Sequence, residues 1–120
     1  MSARTRREIE AFLPLKPVDL ELLLALAGED RHGYGLVQQI AEHTNGLVVL
    51  DPGNLYRVIK RLLGDGLIEE SPARAADADE RRRYYRITAL GGGVLAAELE
   101  RLRALIAAPG TKAAAQRFTS

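Results

Sequence analysis

Residues 51–70, DPGNLYRVIKRLLGDGLIEE, constrain the fold more tightly than any other stretch of the chain. Asp51 can accept hydrogen bonds from the free N–H groups of a helix start, and Pro52 loses no bond at the first helical position. With about 100° of rotation per residue, Leu55, Ile59 and Leu62 fall on one side of that helix, flanked by Val58 and Leu63. Arg57 and Lys60 fall on the opposite side, with Arg61 and Asn54 at its edge and no protein partner in view. Gly64 and Gly66 stop the helix. Residues 67–70 then read as a short strand, 72–80 as a loop and 83–87 as the return strand. The β-propensity of Tyr84, Tyr85 and Ile87 supports that strand, which opens on Arg81, Arg82 and Arg83.

Two further helices precede this unit. Residues 18–27, VDLELLLALA, are apolar on nearly every face, as a helix buried on several sides would be. Residues 34–44 carry one apolar stripe of Leu36, Val37, Ile40 and Ala41, and Asn45-Gly46 supplies two residues that tolerate the left-handed conformation at its end. After the hairpin, Thr88 can cap a helix over residues 89–108, whose first turns are weakened by Gly91 to Gly93. Leu95, Leu99, Leu102 and Ile106 follow a 4-3-4 spacing, a narrow seam that suits a second helix. No later element remains to cover the seam, so a second copy of the chain is the simplest partner.

The expected fold is mainly α with a small β-hairpin: a winged helix-turn-helix plus a C-terminal dimerisation helix. Residues 1–13 form a basic arm or short helix whose Ile9, Phe12 and Leu13 would pack on a partner's last helix. Residues 14–88 form the winged-helix unit, 89–108 the dimerisation helix and 109–120 a flexible tail.

Composition removes several function classes. The 120 residues contain no cysteine, which excludes disulfide frameworks, thiolate nucleophiles and Cys-ligated zinc. His32 and His43 have no carboxylate cluster at ligand spacing, so surface roles are expected and no metal or cofactor. No apolar run approaches the roughly 18 residues of a membrane span, and no apolar stretch follows the N-terminal arginines. A cytoplasmic protein without membrane association is the expectation. No nucleophile with its base and no phosphate-binding loop is visible, so no enzyme is expected.

Net charge is only +1, from 17 basic and 16 acidic residues, so a nucleic-acid case must rest on where the charges sit. Residues 52–63 hold three basic residues and no acid, and residues 81–88 hold four arginines and no acid. One helix fits the DNA major groove, where Arg or Lys can donate to guanine O6 and N7. Hairpin arginines can reach flanking phosphates or a narrow minor groove. The expected DNA-binding residues are therefore Arg57, Lys60 and Arg61 on the groove face, with Asn54 and Tyr56 nearer the backbone. Arg74, Arg81, Arg82 and Arg83 would act from the wing. The acids Asp77, Asp79 and Glu80 count against a uniformly positive wing, whose tip, or part of it, is expected to point away from DNA. The rival reading is a winged-helix module for protein–protein contact, its basic face meeting an acidic partner without sequence-specific DNA binding.

The chain resembles the PadR family of winged-helix transcriptional regulators. HGYGL at 32–36, NLYRVIKRLLGDGLI at 54–68, RRRYYRIT at 81–88 and Gly91 carry the resemblance, in order and spacing, across residues 18–107. Gly35 stands where the family often has Glu, and Arg57 where it often has Pro. The resemblance implies a homodimeric regulator, usually a repressor, on double-stranded DNA. Its operator would be a near-palindrome with half-sites about 10–10.5 bp apart, or a multiple. It also implies, for some relatives, release from DNA by a small phenolic or hydrophobic inducer near the dimer interface. Without Trp and with only two Phe, this chain offers little for an aromatic sandwich around a flat drug.

Overall fold

The computed structural model describes residues 2–72 and 83–119. Helix α1 spans Ala3–Glu10, capped by the Ser2 hydroxyl, which accepts from the Thr5 N–H at 3.1 Å. Helix α2 spans Pro17–Gly28 and buries Leu22, Leu23, Ala25 and Leu26, as its nearly uniform apolar sequence requires. Arg31 folds back at its end, where Nε donates to the Ala25 carbonyl at 2.8 Å and satisfies a helix-end acceptor.

Strand β1, Arg31–His32, leads directly into α3, Gly33–His43. Here His32 departs from its expected surface role. It caps α3, its Nδ1 accepting from the Gly35 N–H at 3.1 Å. Asn45 (φ 53°) and Gly46 (φ 80°) then take the left-handed conformation that ends α3.

Helix α4 spans Pro52–Gly64, with Asp51 accepting from the Asn54 N–H at 2.9 Å. Its buried residues are Leu55, Ile59 and Leu62, the side that helical periodicity assigns inward. Strands β2, Ile68–Glu70, and β3, Tyr84–Ile87, pair antiparallel with Glu69 opposite Arg86. Strand β1 pairs with the far edge of β3, placing Arg31 opposite Tyr85, so the sheet has three strands in the order β1-β3-β2. Tyr85 is the inward residue of β3 and is buried.

Helix α5, Ala89–Ala107, is capped by the Thr88 hydroxyl, which accepts from the Gly91 N–H at 3.0 Å and donates to the Gly66 carbonyl at 2.6 Å. One side chain thus ties the turn after α4 to the start of α5. Leu95, expected in an intermolecular seam, is only 6% exposed and belongs to the chain's own core. The seam spacing is real, but its first turn is already covered by the winged-helix unit. Leu99 and Ile106 are exposed and Leu102 is half-buried.

Helix α1 packs on α5 of the same chain, with Ile9 buried against Gly93 and Phe12 and Leu13 partly buried on the same core. The covering expected from a partner is supplied internally. The segment after residue 108, expected to be a flexible tail over 109–120, instead forms helix α6 over Pro109–Phe118. Pro109 sits at its first position, and Ala113, Ala114 and Ala115 are strong helix formers. Among the described residues, no helix is long and apolar enough to cross a membrane.

Candidate nucleic-acid interface

The side of α4 turned away from the core carries Tyr56, Arg57 and Lys60. Tyr56 is 64% exposed, and both cations lie in solvent. Among the described residues, no carboxylate lies within ion-pair distance of Arg57 or Lys60. At the start of the helix, Asp51 does more than cap. Its second carboxylate oxygen accepts from the Asn54 side-chain amide at 2.7 Å, and the Asn54 carbonyl oxygen accepts in turn from Arg57 Nη2. This string ties the exposed Arg57 to the first turn of α4 through one of its N–H groups. Pro52 has no N–H and those of Asn54 and Leu55 are taken by Asp51, so at most the Gly53 N–H remains to attract an anion.

Arg61 does not join that set. Its two terminal nitrogens donate to the two carboxylate oxygens of Asp19 on α2, at 2.8 and 2.7 Å. The Asp19 hydrogen bonds raise its pKa above the ordinary guanidinium value, with burial opposing them. The expectation of an Arg61 facing outward without a protein partner is therefore corrected. A bidentate pair ties α4 to the first turn of α2, and its guanidinium is spoken for.

The hairpin is closer to charge balance than its sequence suggests. Arg86 Nε donates to Glu69 at 2.8 Å, across the strand pair in register, and Arg83 reaches Glu70 at 3.3 Å. The Arg83 contact is long and its side chain well exposed, so it can exchange Glu70 for another anion at small cost. Arg74, Arg81 and Arg82 lie outside the described residues.

Between α4 and the sheet runs an open groove lined by Tyr34, Tyr56, Lys60, Leu63, Arg83 and Tyr85. Its apolar floor and cationic rim suit a backbone carrying both sugars and phosphates. Tyr34, exposed at the start of α3, was missing from the expected contact residues. Its ring lies parallel to that of His32, at 6.4 Å between centroids, and His32 meets Tyr84 edge-on at 5.2 Å. The HGYGL motif hinted at structure there, but not that Tyr34 would face the groove. The remaining histidine, His43, pairs with Glu21 at 2.8 Å on the opposite flank of α2. Among the described residues, no group of His, Cys, Asp or Glu is placed to hold a metal ion.

Comparison with known proteins agrees with this architecture. Residues 22–97 match the Transcriptional regulator PadR-like family. An uncharacterised protein of Lysinibacillus sphaericus is 35% identical over 78 residues, which cover 65% of this chain and 71% of that protein. A transcriptional regulator from Clostridium thermocellum has a similar solved structure, with 26% identity and a TM-score of 0.63 over 100% of this chain and 99% of that one. Bacillus subtilis PadR, solved in complex with operator DNA, shares the fold with a TM-score of 0.60 and 18% identity, over 72% of this chain and 48% of its own. Sequence motifs, helix-hairpin order and the extent of the family match converge, and the chain belongs to the PadR-like family of transcriptional regulators.

Proposed function

We propose that the protein is a sequence-specific DNA-binding regulator, acting as a homodimer and repressing the genes whose operators it covers. The observation that carries the reading is the outer side of α4. It presents Tyr56, Arg57 and Lys60 to solvent from a helix whose other side is locked in the core. A groove-reading helix needs this combination of rigid support and exposed donors. The operator complex of Bacillus subtilis PadR shows that a protein of this fold binds DNA. Asn54 orients Arg57, and Arg83 with Arg74, Arg81 and Arg82 would supply backbone contacts from the hairpin. Arg61 is left out of the contact set.

Homodimerisation draws support from the second half of α5, where Leu99, Leu102, Leu105 and Ile106 show apolar side chains to solvent. Phe118 on α6 extends the exposed apolar surface. In a dimer, the two α4 helices would meet half-sites one helical turn or a multiple apart. A small hydrophobic or phenolic ligand bound near the helices that join the subunits would be the signal that releases DNA.

Selecting bound duplexes from a random pool, with and without phenolic compounds, tests the function. A regulator enriches one near-palindromic sequence over bulk competitor, whereas a protein-contact module enriches none. The dimer is tested separately by Leu99→Asp. Burying a charge in the joined helices should cost several kcal/mol, so sedimentation should find the variant monomeric where the parent is dimeric. A variant that remained dimeric would take Leu99 out of the interface.

A further inference from the structure

We propose that Asp19 is a positioning residue that holds Arg61 off the nucleic acid, keeping one cation out of the sequence-independent attraction to phosphate. The inference rests on the DNA-binding reading above. Arg61 lies one turn beyond Arg57 on α4, and both line a shallow groove with Asn54, Val18, Leu50 and Val58. By position alone, Arg61 would offer a phosphate a second guanidinium on the edge of the contact face. Its donors instead close on Asp19 in a two-pronged pair at 2.7–2.8 Å.

Burial decides which partner controls the other. Asp19 is 4% exposed, whereas the Arg61 side chain is 39% exposed. A guanidinium already facing water can turn outward cheaply, but a buried carboxylate stripped of its cation is strongly disfavoured. The carboxylate therefore retains Arg61. Removing its charge while keeping its shape should free the side chain to meet the nearest phosphate of any duplex. Such a contact would strengthen binding to all sequences alike, since phosphates carry no base information.

The experiment measures binding of the full chain to a random-sequence duplex as a function of salt. Each neutralised phosphate steepens the log–log slope by about 0.9. Arg61→Gln alone should leave the parent slope unchanged. Asp19→Asn should steepen it by about 0.9 and tighten binding roughly eightfold at about 0.1 M salt, the same increment expressed as affinity. Adding Arg61→Gln to Asp19→Asn should return the slope to the parent value. A slope lowered by about one in Arg61→Gln alone would mean that Arg61 already touches phosphate, and would overturn the proposal. A folded Asp19→Asn protein with the parent slope would overturn it too. If Arg61→Gln does not fold because the buried Asp19 carboxylate has lost its cation, Asp19→Asn compared with the double variant decides; if Asp19→Asn does not fold, the Arg61→Gln slope decides. A parent that binds no duplex removes the DNA reading and this inference with it, an outcome distinct from a bound duplex whose slope ignores Asp19.

Discussion

Replacing Gly91 by alanine is expected to destabilise the fold by about 3 kcal/mol or more, although alanine is the better helix former. Gly91 lies in the first turn of α5, against the Leu67 backbone just before β2. A Cβ at this position would sit 2.0 Å from the Leu67 carbonyl oxygen and 2.9 Å from Ile87 Cγ1. The Leu67 oxygen cannot retreat freely, because it accepts the Thr88 N–H at 3.1 Å and so closes the join between hairpin and helix. The methyl group must therefore push α5 away from the hairpin or break that bond. Gly92 provides the control. Nothing lies within 4 Å of its would-be Cβ, so Gly92→Ala should be neutral or stabilising by up to about 1 kcal/mol. The Gly91→Ala denaturant midpoint should fall well below the parent's, and the Gly92→Ala midpoint should match or exceed it. Equal midpoints would mean that α5 does not press on the hairpin as described.

Glu98→Ala should be of similar size, at about 3 kcal/mol, for an electrostatic reason. Glu98 is 1% exposed in the middle of α5. One carboxylate oxygen accepts the Leu15 N–H at 2.6 Å, and the other accepts from Arg101 Nε. The bond to Leu15 anchors the segment between α1 and α2 onto α5 across 83 positions of sequence. Truncation strands a partly buried N–H, whereas Arg101 can recover hydration. Glu98→Gln keeps an acceptor for Leu15 and should cost less.

The hydrogen bond from Arg101 is the largest influence holding the Glu98 carboxyl below the ordinary carboxylate range. Burial opposes it, and the Leu15 N–H and the Arg101 charge reinforce it. Because the folded value is depressed, the associated stability is fully present above the unfolded value of about 4.3. It is lost as pH falls through the folded value. The parent's stability should therefore drop on acidification over that range, and Glu98→Gln should flatten this part of the profile. An unchanged acid limb in the variant would remove Glu98 from the acid response.

Local chemistry made some elements legible and left others hidden. Asp51-Pro52, the apolar triplet of Leu55, Ile59 and Leu62, and the closing glycines each report on α4 from within a few residues, so the helix and its inward face could be read directly. The first strand could not, because Arg31–His32 has little β-propensity and becomes a strand only when β3 lies beside it. Periodicity placed Arg61 correctly at an edge of α4 but was blind to Asp19, which lies 42 positions earlier. The same limit explains Leu95 and Glu98. Spacing along α5 identified an apolar seam, yet only tertiary packing shows that its first turn is used within the chain and that an acid is buried beside it. Gly91 is the clearest case: its helix propensity suggested weakness, and its environment shows a close approach that only glycine permits.

If the exposed donors of α4 choose among base pairs, as proposed, the decisive comparison sets the parent against Arg57→Ala on the selected operator and on single-base variants of it. Loss of about 1–3 kcal/mol, concentrated at one base pair of each half-site and accompanied by relaxed preference there, is the predicted result. An Arg57→Ala protein that bound the operator as tightly and discriminated as sharply as the parent would contradict it.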